Sequence, residues 1–495
     1  MVQQTNQHPF SRRTLLGVAA LAPFAAAARA PSRALAVIDP AQGGEWSAPF
    51  DMGGIAIHAT LLHNDDVLIF QYVEGQAGVD HTSWVGTWNW RSGVTRDAPF
   101  PYHRDIFCAG HNVLADGRVF IAGGHDHTTG KKQDPVGVAE TDIYDSITRN
   151  WTPTPLLGEK RWYPTNVGLG NGRTLVFGGQ ARAGAASNTV DEYNANTNTM
   201  RQLPSTATKP LGLYPRMNLM ANGKLLKSGP QRKAAYFNPA TNAWSIVASM
   251  LYGARTRGCA VLMPGAQKVL AVGGQSSGTA PPTATAEILD TSQPAPRWRY
   301  TASLNQPRLL ANTVTLPDGQ VLIVGGGAQF KYVNPVKVPE LYNPVAETWT
   351  AMAPQQASRM YHATALLLPD GRVLSAGQDD GPLQRHGEIF SPPYLFRGPR
   401  PTISNPPGTV SQGGQLQFSS VGAADITKVV LIRAGSATHE VDTDQRSVPL
   451  SFTTTASTIT AQVPSSADVA PPGYYMLFAV NSSGVPSVAP WVRVG

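Results

Sequence analysis

Three observations predict an all-β chain, a seven-bladed β-propeller followed by a smaller β-sandwich. A pattern of strand, turn, strand and paired glycine recurs about every fifty residues. The composition, with 48 glycines, 41 prolines and only 14% charged residues, favours short strands and tight turns over long helices. Near S-P-P-Y-L-F-R-G-P-R-P the period stops, and short alternating strands replace it.

The first element is not part of the fold. Residues 11–30 read S-R-R-T-L-L-G-V-A-A-L-A-P-F-A-A-A-A-R-A. Twin arginines, a short apolar run broken by Pro23 and then small residues describe a twin-arginine export signal over 1–36, with cleavage after Ala28 or Ala36. A periplasmic, extracellular or cell-surface protein is expected. No later stretch approaches the ~20 apolar residues that span a bilayer.

The propeller is expected over 37–400. Clear copies of its repeat are A-D-G-R-V-F-I-A-G-G, G-N-G-R-T-L-V-F-G-G, P-D-G-Q-V-L-I-V-G-G and P-D-G-R-V-L-S-A-G-Q, and weaker copies bring the turns to positions near 66, 117, 172, 223, 266, 319 and 371. This is the kelch period. Each Asp-Gly or Asn-Gly predicts a two-residue primed hairpin turn. Downstream, Y-D-S-I-T-R-N-W, Y-N-A-N-T-N-T-M, F-N-P-A-T-N-A-W and Y-N-P-V-A-E-T-W supply an outer strand and an aromatic that packs between neighbouring sheets. Seven such units close on themselves and hide their sheet edges. After the proline-rich linker, K-V-V-L-I-R, T-I-T-A-Q-V and Y-Y-M-L-F-A-V predict an immunoglobulin-like sandwich over 401–495.

The formal net charge is +7, but Arg12, Arg13, Arg29 and Arg33 lie in the export segment. The remainder is mildly basic, without a dense Lys/Arg run or aromatic–basic interleaving, which argues against a nucleic-acid partner. A monomer is expected. The two cysteines, Cys108 and Cys259, allow a disulfide in an exported protein, or a more specific role for Cys108.

Counting eight positions back from each turn gives His58, Cys108, Tyr163, Tyr214, Arg257, Leu310 and His362. Equal offsets from equal turns mean equal places in the repeat, so these side chains form a ring at one face of the propeller. Packing alone selects apolar residues on inner strands, and this ring is mostly polar or reactive. Tyr361 adjoins His362, and His439 follows in S-A-T-H-E-V-D-T-D-Q-R. Two phenols, two imidazoles and a thiol converging there point to a redox metal site, provided that the C-terminal domain delivers His439 to the axis. His125 and His127 in G-G-H-D-H-T form a separate candidate metal pair.

The wording around these residues resembles the copper radical oxidases, the family of galactose oxidase and glyoxal oxidase. The likeness rests on F-C-A-G, R-W-Y-P-T-N, Y-H-A-T-A-L-L-L-P-D-G-R-V, A-T-H-E-V-D-T-D-Q-R-S-V-P-L and P-P-G-Y-Y-M-L-F-A-V-N-S-S-G-V-P-S-V-A, and runs from about residue 45 to the end. It implies one copper ion held by Tyr163, Tyr361, His362 and His439, with Tyr361 axial. It further implies a thioether between Cys108 and the ring of Tyr163, which stores one of the two electrons of alcohol oxidation as a radical. Tyr361 then takes the substrate's hydroxyl proton, the Tyr163 radical takes the carbon-bound hydrogen, and dioxygen leaves as hydrogen peroxide. Imidazole and phenolate donors around an open position suit Cu(II).

One departure bears on substrate. Where the family places a tryptophan stacked over the thioether, this chain reads G-G-Q-A-R, with Ala181. Trp162 adjoins Tyr163 as in glyoxal oxidases, but strand alternation points neighbours to opposite sides. Tyr214, Arg216, Arg257 and Trp162 are the candidate substrate contacts. Small aldehydes or short primary alcohols, with dioxygen, are the expected substrates. The competing reading is a non-catalytic kelch propeller that binds a surface glycan or a protein.

Overall fold

The computed structural model describes residues 38–73, 82–126, 136–330, 332–379 and 381–495. The export segment and His127 lie outside the described residues. Among the described residues, helix is confined to Pro40–Gly43 and three short 3-10 turns, and no helix is long and apolar enough to cross a membrane. Everything else ordered is antiparallel sheet with one parallel pairing.

Seven sheets form the blades of a propeller. Their inner strands are His58–Leu61, Gly110–Val113, Thr165–Gly168, Arg216–Leu219, Cys259–Leu262, Leu309–Thr315 and Ala363–Leu367, for blades 1 to 7. The ring closes in blade 7, where the N-terminal pieces Glu45–Trp46 and Phe50–Asp51 pair with its third strand, His386–Ser391. Closure by these pieces ties the segment just before blade 1 to the seventh repeat.

The hairpin turns differ from the two-residue expectation. In blade 2 the Leu114 N–H donates to Arg118 O, and the Gly117 N–H donates to Leu114 O. The same pair of bonds recurs at Leu169, Met220, Leu316 and Leu368. These are three-residue loops, a tight turn followed by a left-handed residue, and Gly117 with φ 90° is that residue. The preceding Asp or Asn keeps an ordinary φ and caps the turn: Asp116 Oδ1 accepts from the Arg118 N–H at 3.1 Å. One residue more in the loop is what a side-chain cap needs.

Outer-strand tryptophans lock neighbouring blades. The indole N–H of Trp244 donates to Ala207 O at 2.7 Å, that of Trp349 to Ala302 O at 2.8 Å, and that of Trp46 to Ala353 O at 2.8 Å. Each acceptor lies just beyond the last strand of the previous blade, so the aromatic does pack between sheets.

The sequence pattern also holds a feature that periodicity alone did not reveal. Arg161, Arg255, Arg308 and Arg359 stand two or three residues before the ring position, and each is almost fully buried. They pair with Asp191, Glu287, Glu340 and Glu388 of the third strands at 2.8, 2.7, 2.6 and 3.1 Å. Each also donates to the carbonyl of a glycine at the same place in its repeat: Gly178 O, Gly273 O, Gly325 O and Gly377 O. Gly123 shows why glycine stands there: its φ is 73°, and a Cβ would lie 2.4 Å from Arg161 O.

The C-terminal domain packs a core of Leu416, Phe418, Leu431, Leu450, Ile459, Leu477 and Val492. Its strand Ile426–Arg433 is buried on both faces: Val429 and Leu431 fill that core, while Val430 and Ile432 join the propeller residues Trp88, Leu366 and Leu374. A period of two on a doubly covered strand produces this division. From that strand the chain enters the propeller axis. The hairpin Ser436–Thr438 and Val441–Asp442 adds to the inner edge of blade 1, with His58 opposite Thr438. Its return is fastened to several inner strands. Asp444 Oδ2 accepts from the Val113 N–H at 2.6 Å, Thr443 Oγ1 donates to His111 O at 2.7 Å, and Gln445 Oε1 accepts from the Thr315 N–H at 2.7 Å.

Candidate metal centre

Six of the seven ring positions are left-handed. Cys108, Tyr163, Tyr214, Arg257, Leu310 and His362 have φ between 39° and 63°. Outside glycine this conformation costs about 1–2 kcal/mol per residue, so surrounding contacts must impose it. They are visible: the Tyr163 N–H donates to Cys108 O at 2.9 Å, the Tyr214 N–H to Tyr163 O at 2.8 Å, and the Leu310 N–H to Arg257 O at 2.9 Å. Blades 2 to 3, 3 to 4 and 5 to 6 are thus joined ring residue to ring residue, and in blades 3, 5, 6 and 7 the buried arginine two or three residues upstream pins the approach. A strand ordinarily alternates its side chains. The left-handed residue breaks that alternation and turns one side chain to the axis.

The ring brings the expected donors together. The hydroxyls of Tyr163 and Tyr361 are 2.6 Å apart. The His362 and His439 rings lie 4.3 Å apart, Tyr163 and His439 4.7 Å, and Tyr361 and His439 5.4 Å, centroid to centroid. Cys108 Sγ is 3.8 Å from His439 Nε2 and packs in one buried cluster with Tyr163, Tyr214 and Val441. Ligand atoms of Cys108, His362 and His439 all lie within 4.8 Å of one another. Both cysteines are free thiols, on blades 2 and 5, so the disulfide alternative is not adopted.

Hydrogen bonds fix the histidine tautomers. Thr438 Oγ1 donates to Ile57 O at 2.9 Å, so its contact with His439 Nδ1 at 2.5 Å is received from an Nδ1–H. Asp379 Oδ1 accepts from His362 Nδ1–H at 2.6 Å. Both imidazoles therefore present a bare Nε2, and His362 Nε2 is buried without a protein partner. A metal ion held there would satisfy that atom. Burial lowers the pKa of His439, so it is neutral and able to ligate. Burial also raises Tyr163 and Tyr361 well above the usual phenol value, so without a cation both hydroxyls stay protonated. Two imidazole nitrogens and two phenol oxygens are a donor set that fits copper.

The remaining ring residues have other work. His58, in regular strand, is fully buried, stacks on Phe70 at 4.1 Å and accepts the Cys108 N–H on Nε2 at 3.0 Å. Burial pushes the pKa of the adjacent His111 down to about 3. Leu310 packs with Met360 against Phe330 and Tyr361. Tyr214 and Arg216, expected to meet substrate, are buried and committed within the protein. Tyr214 donates to Ala109 O at 2.9 Å, while Arg216 donates to Tyr214 O at 2.8 Å and pairs with Glu440 at 3.3 Å. Their hydroxyl and guanidinium were read as free because sequence spacing carries no partner information. Arg257 stays partly exposed, 4.2 Å from the Phe330 ring. Trp162 does not point away: its ring lies 4.1 Å from that of Tyr163, tilted by 36°. The left-handed Tyr163 removes the alternation on which the opposite expectation rested.

Three contributors escaped the sequence reading. Phe107 covers His362 edge-on at 5.3 Å, Asp379 holds its Nδ1, and Tyr72 donates to Asp379 Oδ2 at 2.9 Å. The one available signal was the seventh repeat, which ends in A-G-Q-D-D where those of blades 2, 3, 5 and 6 end in Gly-Gly. Of the candidate His125–His127 pair, His125 is buried and ring-to-ring with Trp162 at 5.5 Å, and its partner is outside the described residues.

Comparison with known proteins agrees with this geometry. The glyoxal oxidase N-terminus profile matches residues 94–387, and the galactose oxidase-like early set domain profile matches 400–494. Galactose oxidase of Gibberella zeae is 31% identical over 497 residues, covering 91% of this chain and 70% of the relative. Aldehyde oxidase GLOX of Vitis pseudoreticulata is 30% identical over 452 residues, covering 80% of this chain and 83% of the relative. A fungal alcohol oxidase solved in complex with copper superposes with a TM-score of 0.81 at 25% identity, over 92% of this chain and all of the other. The chain belongs to the copper radical oxidases, the galactose oxidase and glyoxal oxidase family, and is a copper-dependent oxidase with oxygen as acceptor.

Proposed function

We propose that Tyr163, Tyr361, His362 and His439 hold the copper, that Cys108 becomes bonded through sulfur to the Tyr163 ring, and that the substrates are small aldehydes, as hydrates, or short primary alcohols. The observation that carries this reading is the convergence of five side chains from three blades and the axial hairpin. The copper, when bound, accepts one electron of the two that alcohol oxidation releases. The other requires a protein group, and a thioether-substituted phenol is easier to oxidise than a plain one.

Cross-link formation removes one hydrogen from Cys108 Sγ and one from a ring carbon of Tyr163, with dioxygen as the two-electron acceptor and hydrogen peroxide as the product. In turnover Tyr361 Oη receives the substrate's hydroxyl proton. Its 2.6 Å contact with Tyr163 Oη keeps that proton within the site. The Tyr163 radical takes the carbon-bound hydrogen, and dioxygen collects both electrons and leaves as peroxide. Trp162 over Tyr163 and Phe107 over His362 restrict water at the reacting groups.

Ala181 offers no stacking surface for a hexose ring, and with Tyr214 and Arg216 committed elsewhere, Arg257 is the remaining polar candidate of the four. A small polar substrate needs no more than one such group. Preference for glycolaldehyde-type substrates over galactose by at least roughly tenfold in kcat/KM, about 1.4 kcal/mol, follows. The twin-arginine segment supports export.

The test loads the protein with copper under air, then compares intact mass and peroxide release. A loss of about two hydrogens, peroxide from small aldehydes and weak galactose turnover are expected. Free Cys108 in active enzyme removes the cross-link. Zinc as the tightly held metal in copper-replete medium removes the ligand set. Cys108→Ser is expected to bind copper, show no mass loss and turn over poorly.

A further inference from the structure

We propose that Asp379, with Tyr72, is a positioning pair that makes His362 the stronger of the two imidazole donors. This rests on the reading of His362 as a copper ligand. The two histidines are backed differently. His439 Nδ1–H meets the Thr438 hydroxyl, a neutral acceptor whose own proton is committed to Ile57 O. His362 Nδ1–H meets the Asp379 carboxylate at 2.6 Å. A carboxylate draws on that proton far more strongly than a hydroxyl does, which fixes the ring and raises the basicity of Nε2.

The loop that carries Asp379 is itself held to His362. The Gln378 N–H donates to His362 O at 3.1 Å, and Gln378 Oε1 accepts from the Met360 N–H at 2.8 Å. The Gln384 N–H returns to Gln378 O at 2.9 Å. Gln378 has φ 101°, and it stands where blades 2, 3, 5 and 6 carry their second glycine. In the seventh blade this residue ties the loop to the ring position, His362, which Tyr361 adjoins. Tyr72 arrives from the end of the second strand of blade 1, Asp66–Tyr72, and donates to Asp379 Oδ2 at 2.9 Å. The chain from Tyr72 through Asp379 to His362 therefore crosses the junction between the first and seventh blades, where the ring closes. Alignment of this ligand is complete only when closure is complete.

The pair has a signature that a brace alone lacks. Asp379→Asn keeps the size of the group and removes its charge, so Nε2 becomes a weaker donor to the higher oxidation state. Tyr72→Phe removes a hydrogen bond from the carboxylate and leaves more of its charge for Nδ1–H, so Nε2 becomes a stronger one. The two variants are expected to move the balance of Cu(II) over Cu(I) affinity in opposite directions.

The experiment is a competition titration of the metal-free full chain with Cu(II), and anaerobically with Cu(I), for wild type, Asp379→Asn, Asp379→Glu and Tyr72→Phe, with nitrogen hyperfine structure read by EPR. Asp379→Asn is expected to lose about 10–100-fold in Cu(II) affinity, with a smaller loss for Cu(I). Each tenfold difference between the two raises the one-electron potential by about 59 mV. Asp379→Glu is expected to recover part of the Cu(II) affinity, and Tyr72→Phe to lower the potential. Equal losses for both oxidation states, a wild-type Cu(II) affinity in Asp379→Asn, or shifts of one sign in both variants overturn the proposal. Should Asp379→Asn fail to fold, the sign of the Tyr72→Phe shift decides. A His362→Ala chain that binds Cu(II) like wild type, with unchanged hyperfine structure, overturns instead the ligand assignment on which the proposal rests.

Discussion

Asp191→Asn tests whether the buried ion pairs place the metal-site residues or only stabilise the blades. Asp191 and Arg161 are both fully buried. The carboxylate accepts from Arg161 Nε at 3.2 Å, from Arg161 Nη2 at 2.8 Å and from the Gly158 N–H at 3.0 Å. Neutralising it leaves a guanidinium in the interior without its counter-charge, which costs about 3–5 kcal/mol. Unfolding entropy near 2 cal/mol/K per residue gives roughly 1 kcal/mol/K for residues 38–495, so Tm falls by about 3–5 °C. Glu287→Gln is the matched control. It breaks the Arg255 pair at 2.7 Å in blade 5, whose ring residue Arg257 is not a proposed ligand. Both variants lose stability alike in a thermal scan. Only Asp191→Asn frees the segment leading from Arg161 to Tyr163, so only it lowers the yield of cross-linked protein, read as the mass loss after copper loading. A stability loss below ~1 kcal/mol refutes the energetic reasoning. Equal losses of cross-linking in both variants refute the positional reasoning.

Three further outcomes are expected. His439→Ala removes a buried side chain, 3% exposed, whose ring neighbours Tyr163, Tyr214, Tyr361 and His362 belong to the propeller, so the fold persists while turnover falls by orders of magnitude in a peroxide-coupled assay. Trp162→Ala uncovers the Tyr163 ring and shortens the lifetime of the oxidised radical, followed by its absorption after a mild oxidant; Trp162→Phe retains most of it. Copper affinity rises with pH: burial raises the phenol pKa of Tyr163 and Tyr361, so each phenolate formed on binding releases a proton, worth up to about tenfold per pH unit per phenol. Because burial lowers the pKa of His439, it adds no proton release in the range from pH 7 to 9, and a flat affinity there would mean that neither tyrosine ionises.

The ring was legible because repetition converts sequence offsets into positions in space. Eight residues before the turn is the same place in every blade, and six of seven residues so identified share one unusual backbone conformation. The fold was legible for the same reason, with the aromatic at the end of each repeat marking the contact between blades. What offsets do not carry is partnership. Tyr214 and Arg216 sit at or near the ring yet spend their polar groups on backbone carbonyls and Glu440. Trp162 was judged by the alternation rule, which fails beside a left-handed residue. Tyr72 ends the second strand of blade 1 and Asp379 follows that of blade 7, so neither stands at the position eight residues before a turn that marks the ring. The turn type was misjudged because Asp-Gly fits both a two-residue primed turn and the last two positions of a three-residue loop.

The arrangement explains how the last proposed ligand can come from a second domain. Seven inner strands converge on the axis, and each offers one ring residue. The hairpin of 436–442 extends blade 1 by its own hydrogen bonds, so His439 enters at the axis rather than from its rim. Three anchors on two blades, at His111 and Val113 of blade 2 and at Thr315 of blade 6, fix its depth. Arg433 at its base donates to Val113 O at 2.5 Å and sits 3.4 Å from Asp444, so the hairpin's entry and exit are joined by charge as well as by backbone. The propeller therefore sets the radial positions of Tyr163, Tyr361 and His362, while the C-terminal domain sets the axial position of His439. A substitution in the interface that shifts the hairpin along the axis changes the metal site without touching any ligand.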